Sequence, residues 1–140
     1  MVLLSLRIAS YEAHNVTHEI LELTSHQRKQ ISNNCRNPQK RILARNAKTG
    51  HNWHPFTVRH PDTEAIFNDD AAWDFIADHF EGDTPLRWRP ASALNPHPAI
   101  EMLIDVSNNE RRLYMKVGIV FDRDLVLGLS FHYSTEEYRA

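Results

Sequence analysis

Two adjoining runs, residues 113–121 and 125–133, alternate apolar with polar or small side chains, and no other feature restricts the fold of this chain as strongly. Side chains alternate across a strand, so Leu113, Met115, Val117, Ile119 and Phe121 share a face, as do Leu125, Leu127, Leu129, Phe131 and Tyr133. These apolar side chains demand a core beneath them, and an antiparallel hairpin supplies one. With Asp122, Arg123 and Asp124 as the connection, the two sets meet only if Phe121 lies opposite Leu125. That register also orders the other face. It sets Tyr114 opposite His132, Lys116 opposite Ser130 and Gly118 opposite Gly128, with paired side chains roughly 5 Å apart at Cβ.

A phenol, an ammonium, a hydroxyl and an imidazole therefore converge beside a stretch without side chains, where a ligand can approach the backbone. This set suits phosphodiester cleavage: a base removes the 2′-hydroxyl proton, a cation steadies the phosphorane and an acid protonates the leaving oxygen. Imidazole ordinarily titrates near neutrality, so His132 is the natural proton-transfer group and Lys116 the natural charge stabiliser. Tyr114 would assist as hydrogen-bond donor or base, and Ser130 would orient the phosphate. The simpler reading is a solvated sheet face, which is ordinarily polar.

The run Tyr114-Met115-Lys116-Val117, followed by Asp124-Leu125-Val126-Leu127-Gly128-Leu129-Ser130-Phe131, resembles the terminal strands of the motility quorum-sensing regulator type of toxin. That type belongs to the RelE-like bacterial toxins, small α+β proteins that cleave mRNA. The resemblance implies mRNA as substrate, an antitoxin as protein partner, and catalytic positions at Tyr114 and Lys116. His132 rests on the shared face alone. A long N-terminal region precedes the resembling segment.

A chain of 140 residues that is 41% hydrophobic can bury a core as one α+β domain over residues 1–140, without metals or disulfides. The single cysteine, Cys35, excludes a disulfide framework and agrees with a reducing compartment, although neighbouring basic residues could lower its pKa. No run approaches the roughly 20 apolar residues of a membrane span, so a soluble cytoplasmic protein is expected.

The net charge of −2 hides a polarity along the chain. Residues 1–60 hold nine Lys and Arg against three acidic residues, and residues 61–140 hold seven against fifteen. Between residues 26 and 50 there are seven basic residues, among them Lys40, Arg41 and Arg45, and no acidic one. That stretch could follow a phosphate backbone together with Arg87 and Arg89, or dock on the acidic half of its own chain.

Residues 2–8 read as a strand, Ser10 as a helix cap, and Ala13, Val16, Ile20 and Leu23 as a helical stripe. Asn33-Asn34 and Asn37-Pro38 should break any long helix, with Pro38 opening another over residues 39–46 that ends near Gly50. Residues 53–60 should be extended at a sheet edge. The clearest helix runs from an Asn68 cap to Glu81, with Trp73, Ile76, Ala77 and Phe80 facing inward. Residues 86–89 read as a strand with Arg87 and Arg89 opposite Trp88, residues 90–98 as a loop, and residues 100–106 as a strand turning at 107–110 into the hairpin. The expected fold is a mostly antiparallel sheet with a C-terminal three-strand meander, packed by helices.

His14 and His18 have helical spacing, but Glu19 is misplaced for a metalloprotease helix and no third ligand is indicated, so neither metal nor other cofactor is expected. His51, His54 and His60 flank Trp53 and Phe56 and, with Arg59, could contact RNA by stacking and charge. These features point to a metal-independent endoribonuclease acting on RNA. The alternative is a non-catalytic interaction protein, an immunity-type partner or a nucleic-acid-binding regulator, which would bind without turnover.

Overall fold

A computed structural model describes residues 20–44, 52–93, 96–106 and 111–134. The expected strand at 2–8, the Ser10 cap, His14, His18, Arg45, His51, the helix end at 47–50 and the turn at 107–110 lie outside these residues.

In chain order the elements are β1 (Ile20–Leu21), α1 (Ser25–Arg36), β2 (Arg41–Leu43), β3 (Asn52–Trp53), α2 (Asp69–Glu81), β4 (Leu86–Arg89), β5 (Ala99–Asp105), β6 (Arg112–Val120) and β7 (Leu125–Tyr133). The strands form one seven-stranded sheet in the order β1-β4-β5-β6-β7-β2, with β3 also on β7. From β1 to β7 all pairings are antiparallel, whereas β2 and β3 run parallel to β7 along its outer edge. The chain is thus α+β, and β5, β6 and β7 form the expected meander.

The core lies between one sheet face and the helices. Helix α2 begins where the sequence places it: the Asn68 side chain accepts the Ala71 N–H at 2.7 Å, with Asp69 and Asp70 in the first turn. Trp73, Ile76, Ala77 and Phe80 are all buried against sheet residues such as Trp88, Ile100, Met102, Met115 and Phe131. Helix α1 is less legible. Its inward side is Gln27, Ile31, Ser32 and Cys35, and it runs straight through Asn33-Asn34. A capping box starts it: Thr24 Oγ1 accepts the Gln27 N–H at 3.1 Å and Gln27 Oε1 accepts the Thr24 N–H at 2.9 Å.

Arg28 joins the two helices. Its guanidinium donates to the carbonyls of His79, Phe80, Gly82 and Thr84, at 3.4, 3.3, 2.8 and 2.9 Å, covering acceptors that the C-terminus of α2 leaves without partners. Arg28→Met keeps the aliphatic stem but removes these charged donors, and should lower unfolding free energy by about 2 kcal/mol, read from the denaturant midpoint.

Four local expectations are corrected. Residues 53–60 are not extended throughout, since Pro55–Thr57 form a 3-10 turn after the two-residue β3. Ile20 and Leu21 are strand rather than helix: Leu21 enters the core, Ile20 points outward, and the helix waits for the Thr24 cap. Residues 41–43 are β2 rather than helix, because β7 offers an edge; Val126 N–H donates to Lys40 O at 2.9 Å and Ala44 N–H to Gly128 O at 3.1 Å. The hairpin register also changes midway. Tyr114 pairs with His132 and Lys116 with Ser130 as expected, but a bulge then shifts Val117 onto Gly128 and Gly118 onto Leu127. Val120, not Phe121, faces Leu125, and residues 121–123 form a short 3-10 turn closed by Asp124 at φ 53°.

The bulge has a packing cause. It turns Val126 and Gly128 to the core face, where a Cβ on Gly128 would come within 2.9 Å or less of Leu43, Trp53 and Trp73. Leu127 and Leu129 consequently turn to the opposite face, beside Gly118, instead of into the core as their spacing suggests.

Candidate functional site

The face of the sheet opposite the helices carries a row of residues set by register. Ile20 pairs with Arg87, Arg87 with Glu101, Glu101 with Lys116, Lys116 with Ser130, and Ser130 with Asn52. Leu103, Tyr114 and His132 form a second row directly beside it. These rows enclose a pocket of about 240 Å³ lined by Arg87, Arg89, Glu101, Tyr114, Lys116, Ser130 and His132, with Asn52, Leu103 and Ser134 at its margins. All four expected catalytic residues and both β4 arginines therefore meet in one place.

Glu101 organises the pocket. It is 4% exposed, yet it lies on the pocket face of β5 between Ile100 and Met102, which point into the core. The Tyr114 phenol donates to its Oε2 at 2.5 Å, while Oε1 lies 3.0 Å from Arg89 Nε and 3.6 Å from an Arg87 terminal nitrogen. A carboxylate so enclosed is stable only because cations and a donor surround it. In turn it fixes the positions of both guanidinium groups and the phenol.

These neighbours tune the other groups. Burial, reinforced by the hydrogen bond to Glu101, pushes the Tyr114 phenol well above the usual tyrosine range. In this arrangement Tyr114 acts as a hydrogen-bond donor to Glu101. Burial also draws the Lys116 ammonium below the ordinary lysine range; Glu101 opposes this shift and Arg89 adds to it.

The orientation of His132 is set by its neighbour. Its Nδ1 lies 2.7 Å from the Tyr133 carbonyl, an acceptor, so Nδ1 carries the proton. In the neutral ring Nε2 is then the acceptor. The His132 and Tyr114 rings lie 5.4 Å apart, which ties His132 to the Glu101 network through a ring contact.

The basic segment lies elsewhere. Arg41 bridges to Asp70 at 2.7 Å, donates to Cys35 O at 2.8 Å and sits over the Trp73 ring on the helix side. Lys40 lies 3.7 Å from Asp124, Lys29 pairs with Glu81, and Arg36 pairs with Asp74, Asp78 and Glu81. The described part of this segment, residues 26–44, docks on the acidic half of its own chain, one of the two uses the sequence allowed. Among the described residues, Lys29, Arg36, Lys40 and Arg41 each face a carboxylate of the acidic half. Cys35 is fully buried, and burial outweighs Arg41 and Arg36 to push its thiol up, which makes it unreactive.

Glu101 and Asn52, with Leu103 and Ser134 at the margin, are the pocket residues that sequence reading missed. A lone glutamate in the apolar run Ala99-Ile100-Glu101-Met102-Leu103-Ile104 was the available signal. Asn52 gave none, because its place comes from parallel pairing of a two-residue strand. Among the described residues no cluster of three His, Cys, Asp or Glu could hold a metal ion, and no helix is long and apolar enough to cross a membrane. Comparison with protein-family models, with curated proteins and with solved structures gave no match.

Proposed function

We propose that the chain is a metal-independent endoribonuclease of the RelE-like toxin kind, acting on mRNA in the cytoplasm and held in check by a cognate antitoxin. One observation carries this reading: an imidazole with a fixed tautomer shares a single pocket with three cationic side chains assembled around a buried carboxylate. Such a pocket offers a phosphodiester both charge stabilisation and proton transfer.

In this mechanism His132 Nε2 takes the proton from the 2′-hydroxyl and O2′ attacks phosphorus. Lys116 stabilises the phosphorane and, having a lowered pKa, gives a proton to the departing 5′-oxygen as the P–O5′ bond breaks. The products are a 2′,3′-cyclic phosphate and a 5′-hydroxyl. Ser130 orients a non-bridging oxygen, Arg87 and Arg89 hold the phosphate, and Tyr114 keeps Glu101 in place beneath them. Lys40 and Arg41 are already paired on the other face and take no part.

Lys116→Ala and His132→Ala should each reduce cleavage of single-stranded RNA by roughly 100-fold or more. Wild-type rates in both correctly folded variants would show that the chemistry lies elsewhere. Induced expression of the intact chain should arrest growth with loss of mRNA, and the double variant should not. Normal growth with intact RNA, at verified expression, would favour the binding role.

The lowered pKa of Lys116 sets a pH dependence. The proton donor is lost as pH rises through that value, so the alkaline limb of the rate profile should fall below the ordinary lysine pKa of about 10.4. In Lys116→Arg the remaining activity should show no such limb. An unchanged limb would assign it to another group.

A further inference from the structure

We propose that the exposed aromatic pair His54 and Phe56, on the β3 side of the pocket, is the stacking platform for a nucleobase of single-stranded RNA, one lying outside the two nucleotides that flank the scissile phosphate. The inference rests on the ribonuclease reading and adds a substrate subsite to it. Its first support is position. Asn52 lines the pocket opposite Ser130, Trp53 turns to the core opposite Phe131, and His54 N–H donates to Phe131 O at 3.0 Å. The backbone therefore reaches His54 at the level of His132, two residues past the pocket-lining Asn52, before Pro55 turns into the fold.

The second support is exposure. Phe67, Phe75, Phe80 and Phe131 are all buried, while Phe56 is 64% exposed. It is held out by a short 3-10 turn, Pro55–Thr57, whose first residue is buried. The His54 ring meets the Phe56 ring edge-on, with centroids 5.9 Å apart and an interplanar angle of 82°. The segment is anchored as well: Thr57 N–H donates to His54 O at 3.1 Å, Val58 is fully buried, and Arg59 N–H donates at 3.2 Å to the hydroxyl of Tyr133, which packs against the core.

A fixed aromatic surface adjoining a cationic pocket matches the chemistry of single-stranded nucleic acid. Phosphate is held by charge, while the next base, free of a pairing partner, lies on a ring. Every base has a π-face, so the platform would add affinity with little sequence preference. A duplex would not use it, because its bases are already stacked.

The test compares steady-state cleavage of a diribonucleotide and a longer single-stranded oligoribonucleotide by the full chain, its Phe56→Leu variant and its Phe56→Trp variant. Phe56→Leu should raise KM for the oligonucleotide about tenfold, leave its kcat unchanged and leave diribonucleotide cleavage unchanged, whereas Phe56→Trp should retain the low KM. An unchanged oligonucleotide KM in Phe56→Leu overturns the platform and leaves the ribonuclease reading standing. If sedimentation shows instead that the wild-type chain self-associates and Phe56→Leu dissociates it, with KM unaltered, the patch is a protein contact and the inference is wrong. Failure of the wild-type chain to cleave or bind either RNA removes the ribonuclease reading and the platform together.

Discussion

Glu101→Gln is expected to lower folding stability by about 2 kcal/mol and to reduce RNA cleavage by roughly 100-fold. Glutamine preserves the shape and can still accept the Tyr114 phenol, but it removes the buried charge that faces Arg87, Arg89 and Lys116. Breaking a buried ion pair typically costs about 3–5 kcal/mol. The lower figure applies here because the two arginine side chains are 40% and 43% exposed, so water recovers part of the loss. Cleavage should suffer more than stability, since guanidinium groups without their counter-charge repel each other and leave their positions. Tyr114 supplies an independent readout: with the carboxylate gone, its phenol should titrate closer to the ordinary tyrosine range, which absorbance detects. An unaltered phenol titration in Glu101→Gln would mean that Glu101 does not hold this network.

Gly128→Ala is expected to cost about 3 kcal/mol of stability, a loss large for one methyl group. The new Cβ would sit 2.8 Å from Leu43 Cδ2 and 2.9 Å from both Trp53 Cζ3 and Trp73 Cζ2. Two of these three neighbours are indoles packed on each other with centroids 5.1 Å apart, and Trp53 is further tied to Asp69 by its Nε1 at 3.0 Å. They have little room to yield, so β7 must move away from β2, β3 and α2. The bulge that separates Gly128 from Ser130 would be disturbed as well, so Ser130 and His132 should lose alignment. A denaturant midpoint within error of wild type would contradict this packing account.

The meander and helix α2 were legible because local pattern and tertiary need agree there. Alternation in β5 and β6 and the Asn68-capped stripe of α2 each state one burial preference, and the fold satisfies it; in β7 it does so only beyond the bulge, at Phe131 and Tyr133. Legibility failed where burial is decided across the chain. Helix α1 offers only Ile31 and Cys35 as apolar residues facing inward, so its 3.6-residue period is faint; capping and ion pairs to α2 hold it instead. β2 and β3 have three and two residues, too few for a periodic signal, and exist because β7 has an edge to cover.

The candidate site was legible up to the bulge. The pairs Tyr114 with His132 and Lys116 with Ser130 follow from alternation and a Phe121–Leu125 register, while that closing pair and the opposed glycines do not occur, the bulge making up the one-residue difference. Alternation in β7 could not reveal the extra residue, because Leu125, Leu127 and Leu129 look as apolar as the core requires. Glu101 was hidden by a different limit. Its alignment with Lys116 depends on the register of β5 against β6, which the sequence does not fix. Arg87 and Arg89 were placed on the correct face, but only the β4–β5 register brings them to Glu101.

The measurement that tests the central claim most directly is product analysis after purified chain, in the presence of excess chelator, meets a single-stranded oligoribonucleotide and its 2′-O-methyl counterpart. The mechanism requires a free O2′, so the RNA should be cut to fragments ending in 2′,3′-cyclic phosphate and 5′-hydroxyl, the methylated strand should remain whole, and Lys116→Ala/His132→Ala should leave both intact. Cleavage of the methylated strand, products lacking a cyclic phosphate, undiminished cutting by the double variant, or no cutting by the intact chain would contradict it.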